Sequence, residues 1–214
     1  MNKILPLAFC LLLTVPAARA ECAPATMLKI VVVNASPGVE QGSAAAFPKT
    51  IYRLGASKGR WEEAPDRANG IEGIRIINAP DSWIVDPIDM AGTYRFDNSS
   101  GNRFRAPVLA WAGVPGMPEE FELGCELEWL EAQPDARWAT VDVGGREMRN
   151  AAIDRGPYRI NFTLDGPTGL PIAVGVFLGD ELVHYLEYLE YRRIDPPNLR
   201  LFLPPSGVEI DVVE

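Results

Sequence analysis

The sequence predicts a mainly β protein, built from many short strands joined by tight turns. Its 19 glycines and 19 prolines are spread along 214 residues instead of being gathered in one linker. Glycine and proline mark turns, so this distribution divides the chain into short segments. Several segments are rich in β-branched and aromatic residues, which are typical of strands. Hydrophobic residues make up 47% of the chain, which favours a folded domain over a disordered one.

The first half of the chain predicts one strand followed by two hairpins. The segment "MLKIVVVN", Met27–Asn34, is rich in β-branched residues and ends at the turn sequence "NASPG". The segment "KTIYRLGASKGRWEEA" predicts two extended arms around a turn between Gly55 and Gly59. The segment "GIRIINAPDSWIVD" repeats this plan, with strands at Ile74–Asn78 and Trp83–Asp86.

The second half continues the pattern of strands and turns, in "GTYRFDNSSGNRF", "RWATVDVGGREMRN", "YRINFTLDG" and "LPIAVGVFLGDE". Two segments differ. The segment "MPEEFELGCELEWLEAQ" predicts a short helix, because its acids come early, as helix N-termini favour, although Gly124 lies in the middle. Residues 180–193 carry leucines and a tyrosine at helical spacing, yet the same residue types suit a long strand buried on both faces. For 180–193 both interpretations stay open.

The first 20 residues have the form of a cleavable secretory signal. Lys3 provides a short basic region, residues 4–15 form an apolar run, and Ala18-Arg19-Ala20 is a small-x-small cleavage site. A membrane anchor is the weaker alternative, because a spanning helix needs about 20 apolar residues. We therefore expect a signal peptide at residues 1–20, a single domain at residues 21–214, and a periplasmic location.

The mature chain is acidic and has no second apolar segment of transmembrane length. Cys10 and Cys22 follow bulky Phe9 and acidic Glu21, so neither fits a lipid-attachment signal. Removal of residues 1–20 takes away two basic residues and no acid, which changes the formal net charge from −9 to −11. Such a balance repels nucleic acid and anionic membrane surfaces. We expect no nucleic-acid partner and no transmembrane segment.

Two cysteines remain after cleavage, Cys22 and Cys125. Thiols in an oxidising compartment tend to pair, so we expect a disulfide that fixes the new N-terminus. Two unpaired buried thiols are the alternative. Two cysteines and the single His184 do not supply a usual zinc ligand set, so neither a metal nor another cofactor is expected.

The end of the chain carries a resemblance to a known family. The segments "GLPIAVGVF" and "YLEYLEYRRIDPPNLRLFLPPSGVEI", within residues 169–210, resemble the closing module of the lipoprotein-localisation-factor superfamily, the LolA/LolB-like periplasmic carriers. That module has a proline-marked strand, another strand, an aspartate-bearing connector, a Leu-Phe pair and a final Pro-x-Gly-Val strand. The segments "KGRWEEAPD" and "IINAPDSWIVD" are similar to the family's early hairpins. The family's first amphipathic helix has no counterpart between Glu21 and Leu28.

The resemblance implies a strongly curved antiparallel sheet, an incomplete barrel, with a few short helices covering its concave apolar face. It also implies that this face can enclose an acyl chain or the lipid of a lipoprotein. In this interpretation Leu201 and Phe202 anchor the last connector, and Val208–Val212 pairs as a final strand. Seven apolar residues on predicted strands are candidates for lining the cavity, although ordinary core packing explains each of them better: Trp83, Phe96, Phe162, Val174, Val176, Tyr185 and Leu189.

No catalytic residue is predicted. A general base at His184 would require a nucleophile within hydrogen-bond reach, and the sequence contains no nucleophile-elbow motif. We therefore expect His184 to be structural. Three hypotheses follow: a non-enzymatic periplasmic protein that binds or carries a lipid or lipidated partner, a structural or sensor domain of the same fold that recognises a protein, and a hydrolase, for which the sequence offers the least support.

Overall fold

A computed structural model of the protein describes residues 22–66, 73–108 and 121–213, and in them the chain forms one 12-stranded sheet. The order of strands across the sheet is β12-β6-β5-β4-β3-β2-β1-β11-β10-β9-β8-β7, so β12 and β7 are its two edges and the sheet is not closed into a barrel. The mainly β fold class is thereby confirmed. The strands are β1 Met27–Asn34, β2 Lys49–Leu54, β3 Lys58–Glu62, β4 Ile74–Asn78, β5 Asp81–Asp86, β6 Ala91–Phe96, β7 Arg137–Val143, β8 Arg146–Arg155, β9 Tyr158–Asp165, β10 Pro171–Leu178, β11 Glu181–Ile194 and β12 Glu209–Val212.

Strand pairing is antiparallel throughout except at one edge. Strand β12 runs parallel to β6, with Glu209 opposite Ala91 and Val212 opposite Tyr94. The antiparallel arrangement that the resemblance implies is thus observed for every pair of described strands except this one. The connector of residues 195–208 leads from β11, in the interior of the sheet, to this edge strand.

Residues 180–193, for which the sequence allowed either a helix or a strand, lie almost entirely in strand β11. This strand lies between β1 and β10. The register with β1 shifts once: Val32 is opposite Tyr188 and Val31 is opposite Glu190, so Leu189 is an extra, bulged residue. Because of this extra residue, Tyr188 and Tyr191 point to the same face although they are three residues apart. Both donate a hydrogen bond to the Glu126 carboxylate.

One α-helix, α1 (Glu126–Glu131), is described, as the sequence predicts, but it is shorter than the segment that predicted it. It begins after Gly124, whose φ of 95° is left-handed and lies outside the helical range. Residues 121–125 are therefore not helical: Glu122 pairs with Pro107 in an isolated antiparallel bridge, a turn follows at Leu123 and Gly124, and the helix begins at Glu126.

The main core lies on one face of the sheet, here called the inner face, beneath residues 104–108 and 121–131. Side chains directly opposite one another in the sheet point to the same face. The inner face therefore includes Ala151, Phe162, Val174 and Leu186, which lie side by side on four neighbouring strands and are all buried.

The opposite, outer face carries a second buried group beneath the last connector. Leu199–Phe202 forms a short 3₁₀ helix that packs on β3 and β4, and Phe202 is completely buried. The Arg60 guanidinium donates to the carbonyls of Leu201 and Leu203, both at 3.4 Å. The expected anchor at the Leu-Phe pair is present, chiefly through Phe202, and the expected final strand is β12.

Candidate functional site

Three of the seven candidate ligand residues meet on the inner face. Phe162 lies opposite Val174, and Val176 lies in the next row of the same face. All three are completely buried. The rings of Phe121 and Trp129 lie over Phe162, with centroids 5.0 Å and 5.7 Å from its ring. The space above these residues is therefore filled by the protein's own aromatic side chains.

The other four candidates lie elsewhere. Tyr185 points to the outer face, because its strand neighbour His184 points inward, and Leu189 is the exposed, bulged residue. Trp83 packs against Tyr94 at 5.6 Å, and Phe96 is exposed at the end of β6. Residues that all looked apolar and strand-like in sequence are thus distributed over both faces and do not form one site.

Residues 121–131 cover part of the inner face and are here called the covering segment. Two interactions fix the beginning of this segment. A disulfide joins Cys22 to Cys125, as the sequence predicts, with a sequence separation of 103 residues. The buried Arg53 guanidinium pairs with Glu122 at 2.8 Å and donates to the carbonyls of Leu123, Cys22 and Phe104. Arg53 thus connects Cys22, Phe104 and the residues Glu122 and Leu123.

A buried carboxylate joins α1 to the sheet. Glu126 is completely buried; it accepts hydrogen bonds from Tyr188 Oη at 2.9 Å, Tyr191 Oη at 3.3 Å and the Gly124 N–H at 2.9 Å. Burial raises the pKa of this carboxyl to about 7, although the hydrogen bonds oppose the rise. In the sequence, Glu126, Glu128 and Glu131 form an acidic cluster, and such clusters on short segments are usually solvated faces, so the burial of Glu126 could not be predicted from the cluster alone.

A second polar group surrounds His184. Its Nδ1 lies 2.8 Å from Ser36 Oγ, which also accepts the N–H of Tyr185 at 2.9 Å, and Ser36 donates its only hydroxyl proton to Asn34 Oδ1. Nδ1 must therefore carry its own proton and donate to Ser36. His184 cannot take the serine proton in this arrangement, so the pair is not poised for nucleophilic catalysis.

The serine partner of His184 was missed in sequence, because Ser36 and His184 are brought together only by the pairing of β1 with β11. Burial lowers the pKa of His184 to about 4, so the ring is neutral near pH 7. Within residues 22–66, 73–108 and 121–213, no three His, Cys, Asp or Glu side chains are placed to hold a metal ion. No helix in these ranges has the length and hydrophobicity of a membrane span.

The most exposed regular element is the edge strand β7. All seven of its residues are exposed, and among the described residues it pairs only with β8. Three large apolar side chains on it are accessible: Trp138 at 44%, Val141 at 37% and Val143 at 58%. Trp138 is on the inner face opposite Ala151, whereas Val141 and Val143 are on the outer face. This strand offers both a free backbone edge and apolar side chains to another molecule.

No family model matches the chain, and no curated protein matches its sequence. Solved structures of similar shape include an uncharacterized conserved protein from Thermus thermophilus, with 13% identity, coverage of 88% of this chain and 91% of that chain, and a TM-score of 0.47. A chain of the Pseudomonas aeruginosa MucA/MucB complex shares 15% identity over 88% of this chain and 59% of its own length, with a TM-score of 0.41.

A LolA superfamily protein from Nitrosomonas europaea is also among them, with 10% identity over 85% of this chain and 92% of its own, and a TM-score of 0.31. A structural neighbour from the superfamily that the sequence resembles is therefore found, at low similarity. The present chain spans about three fifths of the MucA/MucB chain that it matches. All these TM-scores lie below 0.5, so none of these likenesses assigns a function to the chain.

Proposed function

We propose that the chain is an exported, non-enzymatic periplasmic protein that recognises another protein at the open edge of its sheet. The observation that carries the proposal is the exposure of β7 along its whole length, with three large apolar side chains accessible. An edge strand of this kind presents unpaired backbone N–H and C=O groups to a partner.

The packing of the inner face supports protein recognition over the carriage of a lipid. An acyl chain would have to displace the aromatic side chains that lie over Phe162, and Phe162, Val174 and Val176 have no accessible surface. The covering segment is also fixed by the disulfide and by Arg53. The absence of catalysis is part of the proposal, and the hydrogen-bond pattern around His184 supports it.

Site-specific photo-cross-linking in the producing cell tests the proposal. A photoreactive phenylalanine analogue replaces Val141 on β7, and in a matched control it replaces Val212, an exposed valine on the opposite edge strand β12. We expect a discrete protein adduct from position 141 and none from position 212. Adducts from both positions in equal yield, or from neither, would show that β7 is not a recognition edge.

Lipid carriage is the second candidate, because the inner face is a continuous apolar surface beneath a separate covering segment. Its test is saturable uptake of a fluorescent fatty acid by the purified mature protein, with native mass spectrometry of the protein from the periplasm. Saturable binding that tightens with chain length would favour the carrier, since each buried methylene contributes about 0.8 kcal/mol. The filled interior leads us to expect no saturable uptake.

A further inference from the structure

We infer that the partner at β7 is a second copy of this chain, whose β7 pairs antiparallel with the first across a two-fold axis at Thr140. This inference rests on the proposed function and names the partner of the same edge. Three properties of β7 support it: a backbone edge without protection, outward hydrogen-bonding groups that one register pairs completely, and a distribution of charge that its own reversed copy complements.

The two edges of the sheet differ in how well they are protected against strand addition. Edge strands in monomeric proteins are commonly short, charged, bulged or interrupted by proline. Strand β12 has four residues, and two of them, Glu209 and Asp211, are acidic. Strand β7 has seven residues, contains no proline, and keeps an uninterrupted register with β8. Strand β7 is therefore the edge that is open to another strand.

The backbone of β7 turns the N–H and C=O groups of Trp138, Thr140 and Asp142 away from the sheet. The C=O of Glu147 accepts the N–H of Gly166, so the backbone groups of Glu147 point toward β9. Its opposite residue on β7, Asp142, therefore turns its own backbone groups outward. The direction alternates along a strand, so the groups of Thr140 and Trp138 point outward as well.

One register pairs all of these outward groups. Opposite side chains of an antiparallel pair lie on the same face, so the three inner-face residues of β7 must lie opposite one another. A two-fold axis at Thr140 places Trp138 opposite Asp142 of the second copy and pairs every residue of the strand. An axis at Ala139 or Val141 would leave outward groups unpaired at the ends of the strand. The axis is therefore assigned to Thr140.

The inner face of β7 and β8 carries one cation and two acids, on opposite sides of Thr140. Arg149 lies opposite Thr140, and its guanidinium lies over Trp138, 4.8 Å from the centroid of the ring. Asp142 and Glu147 lie opposite each other on the same face, beyond Thr140 in the other direction. Arg149 thus points away from the two acids of its own hairpin, and it forms no salt bridge with a residue of the described ranges.

The second copy brings an acid to this arginine. The axis places Asp142 of the second copy opposite Trp138, and its carboxylate therefore lies beside the Arg149 guanidinium above the ring. Glu147 of the second copy lies one strand further away. The same ion pair forms twice, because a two-fold interface repeats every contact. The chain is thus its own complementary partner at this edge.

The outer face of β7 also accepts its reversed copy. Ala139 lies opposite Val141 of the second copy, which gives an apolar cross-strand pair. Arg137 lies opposite Val143 of the second copy. The charge of Arg137 is compensated by a salt bridge with Asp154 at 2.7 Å, so it brings no unpaired charge to the interface.

Two copies of an acidic chain repel each other, and β7 lies where this repulsion is weak. The whole chain has a formal net charge of −9. The hairpin of residues 137–155 carries four arginines against three acids and has no excess of negative charge. Like charges brought together in an interface oppose association, so an edge in this hairpin suits a second copy.

Cysteine cross-linking of the purified mature protein tests the register. Opposite residues of a hydrogen-bonded antiparallel pair have Cα atoms about 5.5 Å apart, a separation that a disulfide spans. We expect Thr140→Cys to give a disulfide-linked dimer under mild oxidation. Ala139→Cys and Val141→Cys are matched controls, because each lies two residues away from its own counterpart and should link at least about tenfold more slowly. Faster linkage in either control would overturn the inference.

Sedimentation velocity from about 1 μM to about 1 mM tests the charge complementarity. We expect the wild-type mature protein to approach the mass of a dimer. Arg149→Asp and Asp142→Arg should each weaken dimerisation about tenfold, because two exposed ion pairs become repulsive contacts. An equimolar mixture of these two variants restores both ion pairs and should dimerise like the wild type.

Arg95→Asp, at an exposed arginine on β6, controls for net charge in the mixture. It carries the same net charge as Arg149→Asp but leaves Arg149 facing the arginine introduced by Asp142→Arg. A mixture of Arg95→Asp with Asp142→Arg should therefore not regain the wild-type affinity. A wild type that stays monomeric up to about 1 mM, or equal recovery in both mixtures, would overturn the inference.

The two proposals fail in different ways. The photo-cross-linked adduct from position 141 should have twice the mass of the mature chain, and peptide mapping should find only this chain in it. An adduct with a different protein would overturn the second copy as partner, while protein recognition would stand. If position 141 forms no adduct, both proposals are wrong.

Discussion

Removing the charge of the buried Glu126 should change how the stability of this protein depends on pH. Burial raises the pKa of its carboxyl from 4.5 to about 7 in the folded protein. The unfolded chain therefore releases this proton at lower pH than the folded chain does. The stability that protonated Glu126 contributes is fully present below about pH 4.5 and is lost as the pH rises through about 7.

The size of the effect follows from the shift in pKa. One pKa unit corresponds to about 1.36 kcal/mol, so the raised pKa of Glu126 lowers the free energy of unfolding by about 3 kcal/mol between acidic and alkaline pH. In a domain of this size that equals about 6–12 °C in melting temperature. His184 acts in the opposite direction, because its pKa is lowered to about 4 and its contribution is lost on acidification. The wild-type profile alone therefore conceals the contribution of Glu126.

The informative quantity is the difference in unfolding free energy between Glu126→Gln and the wild type, measured by urea denaturation from pH 4.5 to 8.5. Because all other groups cancel, this difference should move by about 3 kcal/mol in favour of the variant as the pH rises. Glu131→Gln, at an exposed acid on the same helix, is the matched control for the loss of one carboxyl group. A constant difference for Glu126→Gln would refute the reasoning.

Three further substitutions test what holds the fold together. Cys125→Ser opens a loop of 103 residues and should cost about 4–5 kcal/mol, measured as a lower melting temperature in oxidising buffer; two free thiols in peptide maps of the wild type would contradict this. Arg53→Met breaks a buried ion pair and should lower the free energy of unfolding by about 3–5 kcal/mol. Arg105→Met, at 48% side-chain exposure, should lower it by about 1 kcal/mol or less. Equal losses in the two variants would show that burial is not decisive. Phe202→Ala should lower the free energy of unfolding, measured in urea, by about 3–5 kcal/mol. The exposed Leu203→Ala should lower it by about 0.5 kcal/mol. A small loss at Phe202 would show that this side chain does not anchor the last connector to the sheet.

Much of the fold could be predicted because its signals are local. β-Branched runs and the turns between them gave the hairpins β2–β3 and β4–β5 at nearly their observed bounds. The Cys22–Cys125 bridge could be predicted from the expected oxidising compartment and the count of cysteines. The segment 180–193 could not be assigned, because leucine and tyrosine suit a helix and a strand equally, and only pairing with β1 and β10 on both sides makes it β11.

The candidate site could be predicted much less well. Phe162 and Val176 were correctly placed on strands, but whether an apolar side chain lines a cavity or fills a core depends on what packs over it. Nothing local brings Phe121 and Trp129 onto Phe162. The exposed strand β7 was seen only as one more strand, since a sequence does not say which strand ends a sheet.

By itself the sequence determined the strand-rich class, the hairpins, the short helix and the disulfide, because each depends on neighbouring residues or on composition. The tertiary structure alone decided the parallel pairing of β12, the bulge at Leu189, the pairing of Ser36 with His184 and the burial of Glu126. Each of these joins residues that are far apart in the chain. Their environment is set by strand order and register, and a shift of one residue in register would turn every such side chain to the opposite face.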